Sequence, residues 1–133
     1  EAVIVFAGHD SRPQFARAAV KAELETYKLL SDGWDGEESV APAPDDLRAA
    51  AELINGLPLG FPVPKPMIGS DGEVGLYWNT EKAFADFVIE ESGLGSLFVR
   101  RKDTGVEHFI DQILISSLDP AWLVEQLSPI TEV

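Results

Sequence analysis

The stretch SDGEVGLYW, residues Ser70–Trp78, is where the hydrophobic pattern of this sequence changes from a helical to an alternating period. Val74, Leu76 and Trp78 occupy alternate positions, so they share one face of a predicted strand. The Ser-Asp-Gly triplet before them has the composition of a tight hairpin turn, which would join this strand to Met67-Ile68. The stretch therefore predicts an antiparallel hairpin with one apolar face.

The alternating pattern continues after this hairpin in three further segments. Short turns rich in glycine and polar residues separate them, and short turns between consecutive strands indicate an antiparallel meander. Together with the hairpin they predict a sheet of four or five strands over residues 66–115, with later strands at Phe84–Glu90, Ser96–Lys102 and Val106–Ile113.

A short closing helix is expected at residues 119–127. Asp119 would be its N-cap and Pro120 its first residue, since a carboxylate accepts hydrogen bonds from free amides and proline is tolerated in the first turn. Leu118 can pack on Leu123 as a hydrophobic staple.

Two helices are predicted before the sheet, in a helical part that spans residues 13–57. The first runs from Pro13 to Leu30, without a further glycine or proline and with apolar residues at helical spacing. The second, from about Asp45 to Asn55, has acidic residues in its first turn, where they favour a helix start. Residues 1–10 contain a short β-branched run that suggests an edge strand or an arm.

These elements predict an α+β fold, with residues 1–133 as one domain. Two N-terminal helices would pack on a four- or five-stranded antiparallel meander, and a short C-terminal helix would follow. The chain of 133 residues, 45% of them hydrophobic, is long enough to bury the core of one such domain.

The composition limits the classes of function. The net charge of −13, from 23 acidic and 10 basic residues, argues against direct nucleic-acid binding and against an anionic membrane surface, because phosphate contacts need clustered cations. The chain has no cysteine, and its longest apolar run, Ala2 to Ala7, is far shorter than the roughly 20 residues of a membrane helix. We therefore expect a cytoplasmic protein whose partners are basic proteins.

The stretch between the two predicted helices, LLSDGWDGEESVAPAPDD at Leu29–Asp46, holds six carboxylates and no cation. Such crowding destabilises the compact state unless a cation or a basic partner offsets it. An aromatic residue could anchor such a partner, since interface energy concentrates in aromatic residues. We expect a partner-binding face formed by Asp32, Trp34, Asp35, Glu37, Glu38, Asp45, Asp46 and Tyr77.

The same stretch also has a structural interpretation. Gly33 and Gly36 permit the positive φ that a chain reversal needs. Trp34 can fold back over the helix pair, and the Asp35 carboxylate can bridge amides of the loop.

Catalytic, metal and cofactor sites have little support in the sequence. A nucleophilic triad would have to use His9 or His108, and no Gly-x-Ser-x-Gly turn presents a serine. The acidic loop does not match a calcium loop, because Trp34 and Gly36 stand where ligands belong. We expect no catalytic residue, no bound metal and no cofactor.

One basic cluster, Arg100–Lys102, lies at the end of a predicted strand. In a protein this acidic, we expect its side chains to balance Glu90 and Glu91 on the neighbouring strand. A phosphate site is the alternative interpretation.

One pattern combines a helix that ends in Trp-Asp-Gly, an Ala-x-x-Pro stretch, a second helix, and an Asp-Gly hairpin into a strand that ends in Trp. It resembles a pattern of small, mostly uncharacterised bacterial proteins, over roughly Glu25 to Arg101, with a departure at Glu38-Ser39. Such proteins often look like products of mobile elements or neighbours of toxin and defence genes, which implies interaction or neutralisation. The matching residues are Trp34, Asp35, Gly36, Ala41, Pro44, Asp71, Gly72, Leu76 and Trp78.

Three functions compete. The leading hypothesis is a non-enzymatic acidic module that neutralises a basic partner, as an inhibitor, antitoxin, immunity or anti-defence protein would, with carboxylates in place of phosphates if the partner binds nucleic acid. The second is a small metal-dependent hydrolase that uses Asp35 and Glu37 with His9 or His108. The third is an accessory or oligomerisation domain, with a monomer and a homodimer both open.

Overall fold

A computed structural model describes residues 13–90 and 93–132 of the protein. The described residues form an α+β fold with three α-helices and a five-stranded antiparallel sheet, which confirms the predicted fold class. The predicted strand or arm at residues 1–10 lies outside the described residues. The elements are α1 (Pro13–Tyr27), α2 (Pro44–Gly56), β1 (Lys65–Ile68), β2 (Val74–Asn79), β3 (Ala83–Ile89), β4 (Leu94–Arg101), β5 (Glu107–Leu114) and α3 (Pro120–Gln126).

The sheet is a meander in which each strand pairs with the next one in sequence, in the order β1-β2-β3-β4-β5. Alternate residues of β3 are buried and half-buried along its whole length, as expected for a strand between a core and a second, more accessible face. We call the core side the covered face. Its buried side chains are Val74, Leu76, Trp78, Ala83, Ala85, Phe87, Ile89, Leu97 and Val99.

Phe87 is the largest fully buried side chain among the described residues, and it needs a glycine beside it. A Cβ atom at Gly95, on β4, would lie 2.7 Å from two ring carbons of Phe87. Because real carbon contacts are not this short, Gly95 provides the space that the aromatic ring occupies.

The two N-terminal helices add their apolar stripes to the covered face. α2 buries Leu47, Ala50, Leu53 and Ile54 and contacts β2 and β3, whereas α1 contacts α2 and the edge strand β1. Arg17 ties the helices together, since its guanidinium donates hydrogen bonds of 2.6 Å each to the carbonyls of Leu57 and Pro58 at the end of α2.

The proline-rich connection after α2 is held against the sheet by Trp78. The indole nitrogen of Trp78 donates a hydrogen bond of 2.9 Å to the carbonyl of Pro62, and its ring makes an edge-on contact with Phe61 at a centroid distance of 6.5 Å. The connection is therefore not extended throughout, since the amide of Phe61 closes a turn on the carbonyl of Pro58 at 3.0 Å, and Trp78 of β2 holds the segment after this turn.

The start of α3 confirms the predicted cap. Asp119 is the N-cap, its carboxylate accepts a hydrogen bond of 3.0 Å from the amide of Ala121, and Pro120 is the first helical residue. Leu123, on the inner side of α3, is almost completely buried in the core. Among the described residues, no helix has both the length and the apolar character needed to cross a bilayer.

Two expectations are wrong in detail. α1 ends at Tyr27 and not at Leu30, because the next three amides bond to carbonyls three residues back, which is the tighter 3-10 pattern. The basic cluster does not face Glu90, since the strand register pairs Arg101 with Ala83 at the opposite end of β3. Glu91 lies outside the described residues.

The partners of the basic cluster come from other elements. Arg101 makes two hydrogen bonds of 2.6 and 2.7 Å to the Glu132 carboxylate, which lowers the pKa of Glu132, and Arg100 lies 3.7 Å from a carboxylate oxygen of Glu107. Lys102 donates to the side chain of Asn79. The arginines of the basic cluster are thus balanced by acids at their own end of the sheet, Glu107 and Glu132, and not by the predicted Glu90.

Candidate protein-binding groove

The acidic loop between α1 and α2 is docked on the tip of the β1–β2 hairpin. The amide of Val40 donates a hydrogen bond of 2.7 Å to the carbonyl of Ser70. Gly72 in the hairpin has a φ of +87°, and a Cβ atom there would lie 2.9 Å from the carbonyl oxygen of Ala41 and 3.3 Å from a methyl carbon of Val40. Only glycine fits this contact, so the hairpin turn also fixes where the loop lies.

The loop is stabilised internally by its two glycines and by one buried serine. Gly33 and Gly36 have φ values of +89° and +118°, which confirms the conformation predicted for them. The hydroxyl of Ser39 donates to the carbonyl of Gly36 at 2.7 Å and accepts from the amide of Asp35 at 2.8 Å. The loop is therefore a defined turn structure and not a random connection.

Two further side chains close the loop on itself. The indole nitrogen of Trp34 donates a hydrogen bond of 2.7 Å to the carbonyl of Val40. The carboxylate that bridges a loop amide is that of Asp32, which accepts from the amide of Ala41 at 3.0 Å. The sequence predicted this role for Asp35, which instead supports the loop through its backbone amide.

A groove of about 640 Å³ opens where the acidic loop, the N-terminus of α2, the β1–β2 hairpin and the β3–β4 turn meet. Four of its lining side chains are carboxylates, and none of the described lysines or arginines lines it. We call it the acidic groove. Its lining residues are Val40, Ala41, Ala43, Asp46, Asp71, Gly72, Glu73, Ile89, Glu90 and Leu94.

Three carboxylates of the acidic groove, those of Asp71, Glu73 and Glu90, repel one another. The pKa of Glu73 is raised above its usual value by partial burial, and then by the negative charges of Asp71 and Glu90. Because all three causes disfavour the charged form, ionised Glu73 is a destabilised group in the free protein. A cation placed in the groove would remove part of this unfavourable interaction.

The strand register brings the carboxylates of Glu73 and Glu90 together. Val74 pairs with Ile89 across β2 and β3, so the residues that flank this pair, Glu73 and Glu90, end up side by side. Asp71, Glu73 and Glu90 are not among the predicted site residues, because they lie outside the acidic loop, the first two in the β1–β2 hairpin and Glu90 after β3. The available signal was the hairpin itself, whose alignment with the next strand would have placed Glu73 against Glu90.

The predicted site residues are distributed over four places: the acidic groove, the acidic loop, the exposed surface of α2 and the opposite face of the sheet. Asp46 lines the acidic groove, and the exposed Asp35, Glu37 and Glu38 lie on the loop whose end, at Val40 and Ala41, forms one wall of it.

Asp45 and Tyr77 are not part of the acidic groove. Asp45 is exposed and lies 2.9 Å from the guanidinium of Arg48, one turn further along α2. Tyr77 lies on the other face of the sheet, where its ring stacks on Phe84.

The residues considered for hydrolytic chemistry are not brought together in the described structure. His108 lies on β5 near the β4–β5 turn, at the opposite end of the sheet from the hairpin that carries the acidic loop, and His9 lies outside the described residues. Within residues 13–90 and 93–132, no group of three or more histidine or acidic side chains has the arrangement of a metal site.

The comparisons with known proteins add no assignment to this geometry. No protein-family model, no curated protein and no solved structure matches the sequence.

Proposed function

We propose that this protein is a non-enzymatic, acidic protein-binding module that uses the acidic groove and the adjoining loop to occupy a basic surface of another protein. The observation that carries the proposal is the groove itself, in which the negative charges of Asp71 and Glu90 act on Glu73 while no lysine or arginine of the described residues lines the walls. The Glu73 carboxylate is destabilised in the free protein, and a bound cation would relieve that.

The groove offers apolar contact as well as charge. Val40, 46% exposed, and the half-buried Leu94 form part of its walls. A lysine or arginine side chain has an apolar stem and a charged end, so its stem could lie on these walls while its charge meets the carboxylates. Charge of this kind mainly speeds encounter, and the desolvated contacts supply most of the affinity.

The partner class follows from the same chemistry. A stoichiometric neutraliser of a basic toxin, nuclease or defence effector would place carboxylates at the positions where such a partner otherwise binds phosphates of nucleic acid. The resemblance of the Trp-Asp-Gly and Asp-Gly segments to small bacterial proteins near toxin and defence genes favours an antitoxin, immunity or anti-defence role. Activity as a monomer or as a homodimer is compatible with this proposal.

A charge-matched pair of variants tests the groove. The groove variant carries Asp46→Asn, Asp71→Asn, Glu73→Gln and Glu90→Gln, and the control carries Glu52→Gln, Glu81→Gln, Asp103→Asn and Glu125→Gln, four exposed acids outside the groove. The probe is a short peptide of alternating lysine and leucine, and calorimetry measures its affinity at several salt concentrations. We expect the groove variant to lose at least about tenfold in affinity and the control to lose much less. The reason is that the electrostatic potential inside the groove, and not the net charge of the protein, sets the affinity for the peptide.

Equal losses in the two variants would show that net charge alone attracts the probe, and the groove assignment would then be wrong. Affinity that does not fall with salt would also contradict it, since exposed charge pairs are screened.

The neutralising role has its own test. Co-expression with the product of a neighbouring toxin or nuclease gene should restore growth, and the groove variant should fail to restore it while the control variant succeeds. Rescue by both variants would mean that the acidic groove is not the neutralising surface.

A further inference from the structure

The face of the sheet opposite the core carries a band of aromatic side chains. We call it the open face. The strand register aligns one row across all five strands, in which Tyr77, Asp86 and Phe98 occupy the centre. Lys65 and Phe109 end the row on the two edge strands, and the Phe109 side chain is 60% exposed.

The aromatic rings of the open face are in contact with one another. The rings of Tyr77 and Phe84 stack at a centroid distance of 6.3 Å with an interplanar angle of 27°, and those of Phe84 and Phe98 lie 6.3 Å apart at 54°. We call Tyr77, Phe84 and Phe98 the aromatic frame. All three are half-buried on the side of the sheet away from the core, so they present part of their ring surface to whatever lies over the sheet.

Asp86 is the exception in this apolar neighbourhood. Its directly opposite neighbours are Tyr77 on β2 and Phe98 on β4, and its neighbours along β3 on the same face are Phe84 and Val88. Within residues 13–90 and 93–132, no group donates a hydrogen bond to its carboxylate and no cation lies at ion-pair distance.

The other charged groups of the open face do not compensate Asp86. Lys65 is separated from it by Tyr77 in the same row, and Arg100, in the next row on β4, lies beside Glu107 of β5. Burial is accordingly the cause that raises the pKa of Asp86. A half-buried carboxylate without a partner is costly, so a positive group that bound there would relieve an unfavourable interaction.

The surroundings of the carboxylate select the kind of cation. A guanidinium group is planar and weakly hydrated, and it can both stack on an aromatic ring and bond to a carboxylate with two N–H groups. An ammonium group is strongly hydrated and loses more on leaving water. The combination of rings and one carboxylate on an exposed sheet surface therefore fits arginine better than lysine.

We propose that the open face is a second recognition surface, which binds a polypeptide segment that places an arginine side chain on Asp86 within the aromatic frame. Apolar side chains on either side of that arginine would cover Val88 and Phe109. This surface lies on the opposite side of the sheet from the core, and its use does not depend on the acidic groove.

Peptide titration followed by NMR of the labelled protein tests the proposal. The probe is acetyl-Ser-Val-Arg-Val-Ser-amide, and the comparison peptides replace the arginine by citrulline, which is neutral and nearly isosteric, or by lysine. We expect saturable shifts at the amides of Tyr77, Asp86 and Phe98, with the citrulline peptide binding about tenfold more weakly because the charged hydrogen bonds are lost. The lysine peptide should fall between the two.

Asp86→Asn should reduce the affinity for the arginine peptide about tenfold. Asp103→Asn, which replaces an exposed carboxylate in the β4–β5 turn, should leave the affinity unchanged.

In the parent protein, binding should weaken as pH falls through the raised pKa of Asp86, since the neutral acid cannot pair with the cation. In Asp86→Asn this pH dependence should disappear. Phe84→Leu, which keeps an apolar side chain, should also weaken binding.

The proposal is overturned if no peptide produces saturable shifts, if the citrulline and arginine peptides bind equally, or if the lysine peptide binds best. Association of the protein with itself that Asp86→Asn abolishes would assign the surface to a second copy, and binding to phosphatidylcholine vesicles would assign it to lipid. The groove variant should retain binding of the arginine peptide at the open face. Failure of the open-face proposal can therefore be distinguished from failure of the acidic-groove proposal.

Discussion

At the scale of single residues, the side chains that point to function are those whose position in the fold lowers the stability of the protein. Asp86 has a folded-state pKa above its usual value because burial disfavours its charge. Its protonated form is favoured in the folded protein, so this residue contributes stability at low pH that is lost as pH rises through the folded pKa.

Replacing this carboxylate should therefore stabilise the protein. We expect Asp86→Asn to raise the free energy of unfolding at pH 7 by less than about 1 kcal/mol, since solvent screens a side chain that is half exposed. The difference from the parent should vanish as pH falls below the pKa of the unfolded carboxyl, where both side chains are neutral. Urea unfolding at several pH values measures this, with Glu81→Gln as an exposed control. A variant less stable than the parent at pH 7 would mean that an interaction of the carboxylate outweighs its burial.

Trp34 is a residue whose structural role can be separated from any role in binding. Its indole nitrogen closes the acidic loop through the carbonyl of Val40 at 2.7 Å. Trp34→Phe keeps an aromatic ring but removes the donor, and it should cost about 1 kcal/mol of unfolding free energy. Thermal unfolding tests this. An unchanged melting temperature would show that water replaces the indole at no cost.

At the scale of secondary-structure elements, strand register decides which charges meet. The alternating pattern predicts which face of each strand is apolar, and the buried residues of β2 and β3 follow it. The pattern does not fix how far one strand is shifted along the next. For this reason the predicted pairing of Arg100–Lys102 with Glu90 lies at the wrong end of β3, and the proximity of Glu73 to Glu90 was not foreseen.

The contact between the acidic loop and the hairpin leads to a prediction at this scale. Gly72 and Gly105 have φ values of +87° and +75°, but a Cβ atom would collide with the loop only at Gly72, since none of the described atoms lies within 4 Å at Gly105. Gly105→Ala should cost about 1 kcal/mol for the positive φ alone. Gly72→Ala should cost about 1–3 kcal/mol more, because the loop must move.

Chemical denaturation compares the two glycine variants. If they are equally destabilised, the loop is not fixed by the hairpin. We also expect Gly72→Ala, and not Gly105→Ala, to weaken binding of the lysine-leucine peptide, because displacement of the loop deforms the acidic groove.

At the scale of the whole molecule, charge is unevenly distributed over the described residues. The groove end of the sheet gathers Asp46, Asp71, Glu73 and Glu90 without a described lysine or arginine in the lining, whereas Arg100, Arg101 and Lys102 lie at the other end beside Glu107, Glu132 and Asn79. The formal net charge of −13 is therefore not a uniform surface property. Within the described residues, the lining of the acidic groove contains acids and no lysine or arginine, whereas Arg100 and Arg101 at the other end lie beside acids.

This distribution predicts how salt affects stability. Added salt should raise the free energy of unfolding, because it screens repulsion within the acidic groove. Glu73→Gln should make the protein more stable at low salt by a few tenths of a kcal/mol, an amount limited by solvent screening, and should reduce the dependence on salt. Glu52→Gln, outside the groove, is the control. Identical salt dependence in both variants would show that the repulsion is spread over the whole surface.

Local sequence patterns were sufficient to establish the fold class, the cap of α3 and the turn glycines of this protein. These features depend on neighbouring residues, as in the cap at Asp119 and the positive φ of Gly33 and Gly36. The sequence also showed that a cluster of acids lies between α1 and α2.

The packed fold was needed to establish which acids share one groove and which lie apart, and that an uncompensated Asp86 sits within the aromatic frame. The physical reason is that these arrangements join residues far apart in sequence. Their proximity depends on strand register and on the docking of the loop on the hairpin, which local periodicity does not encode.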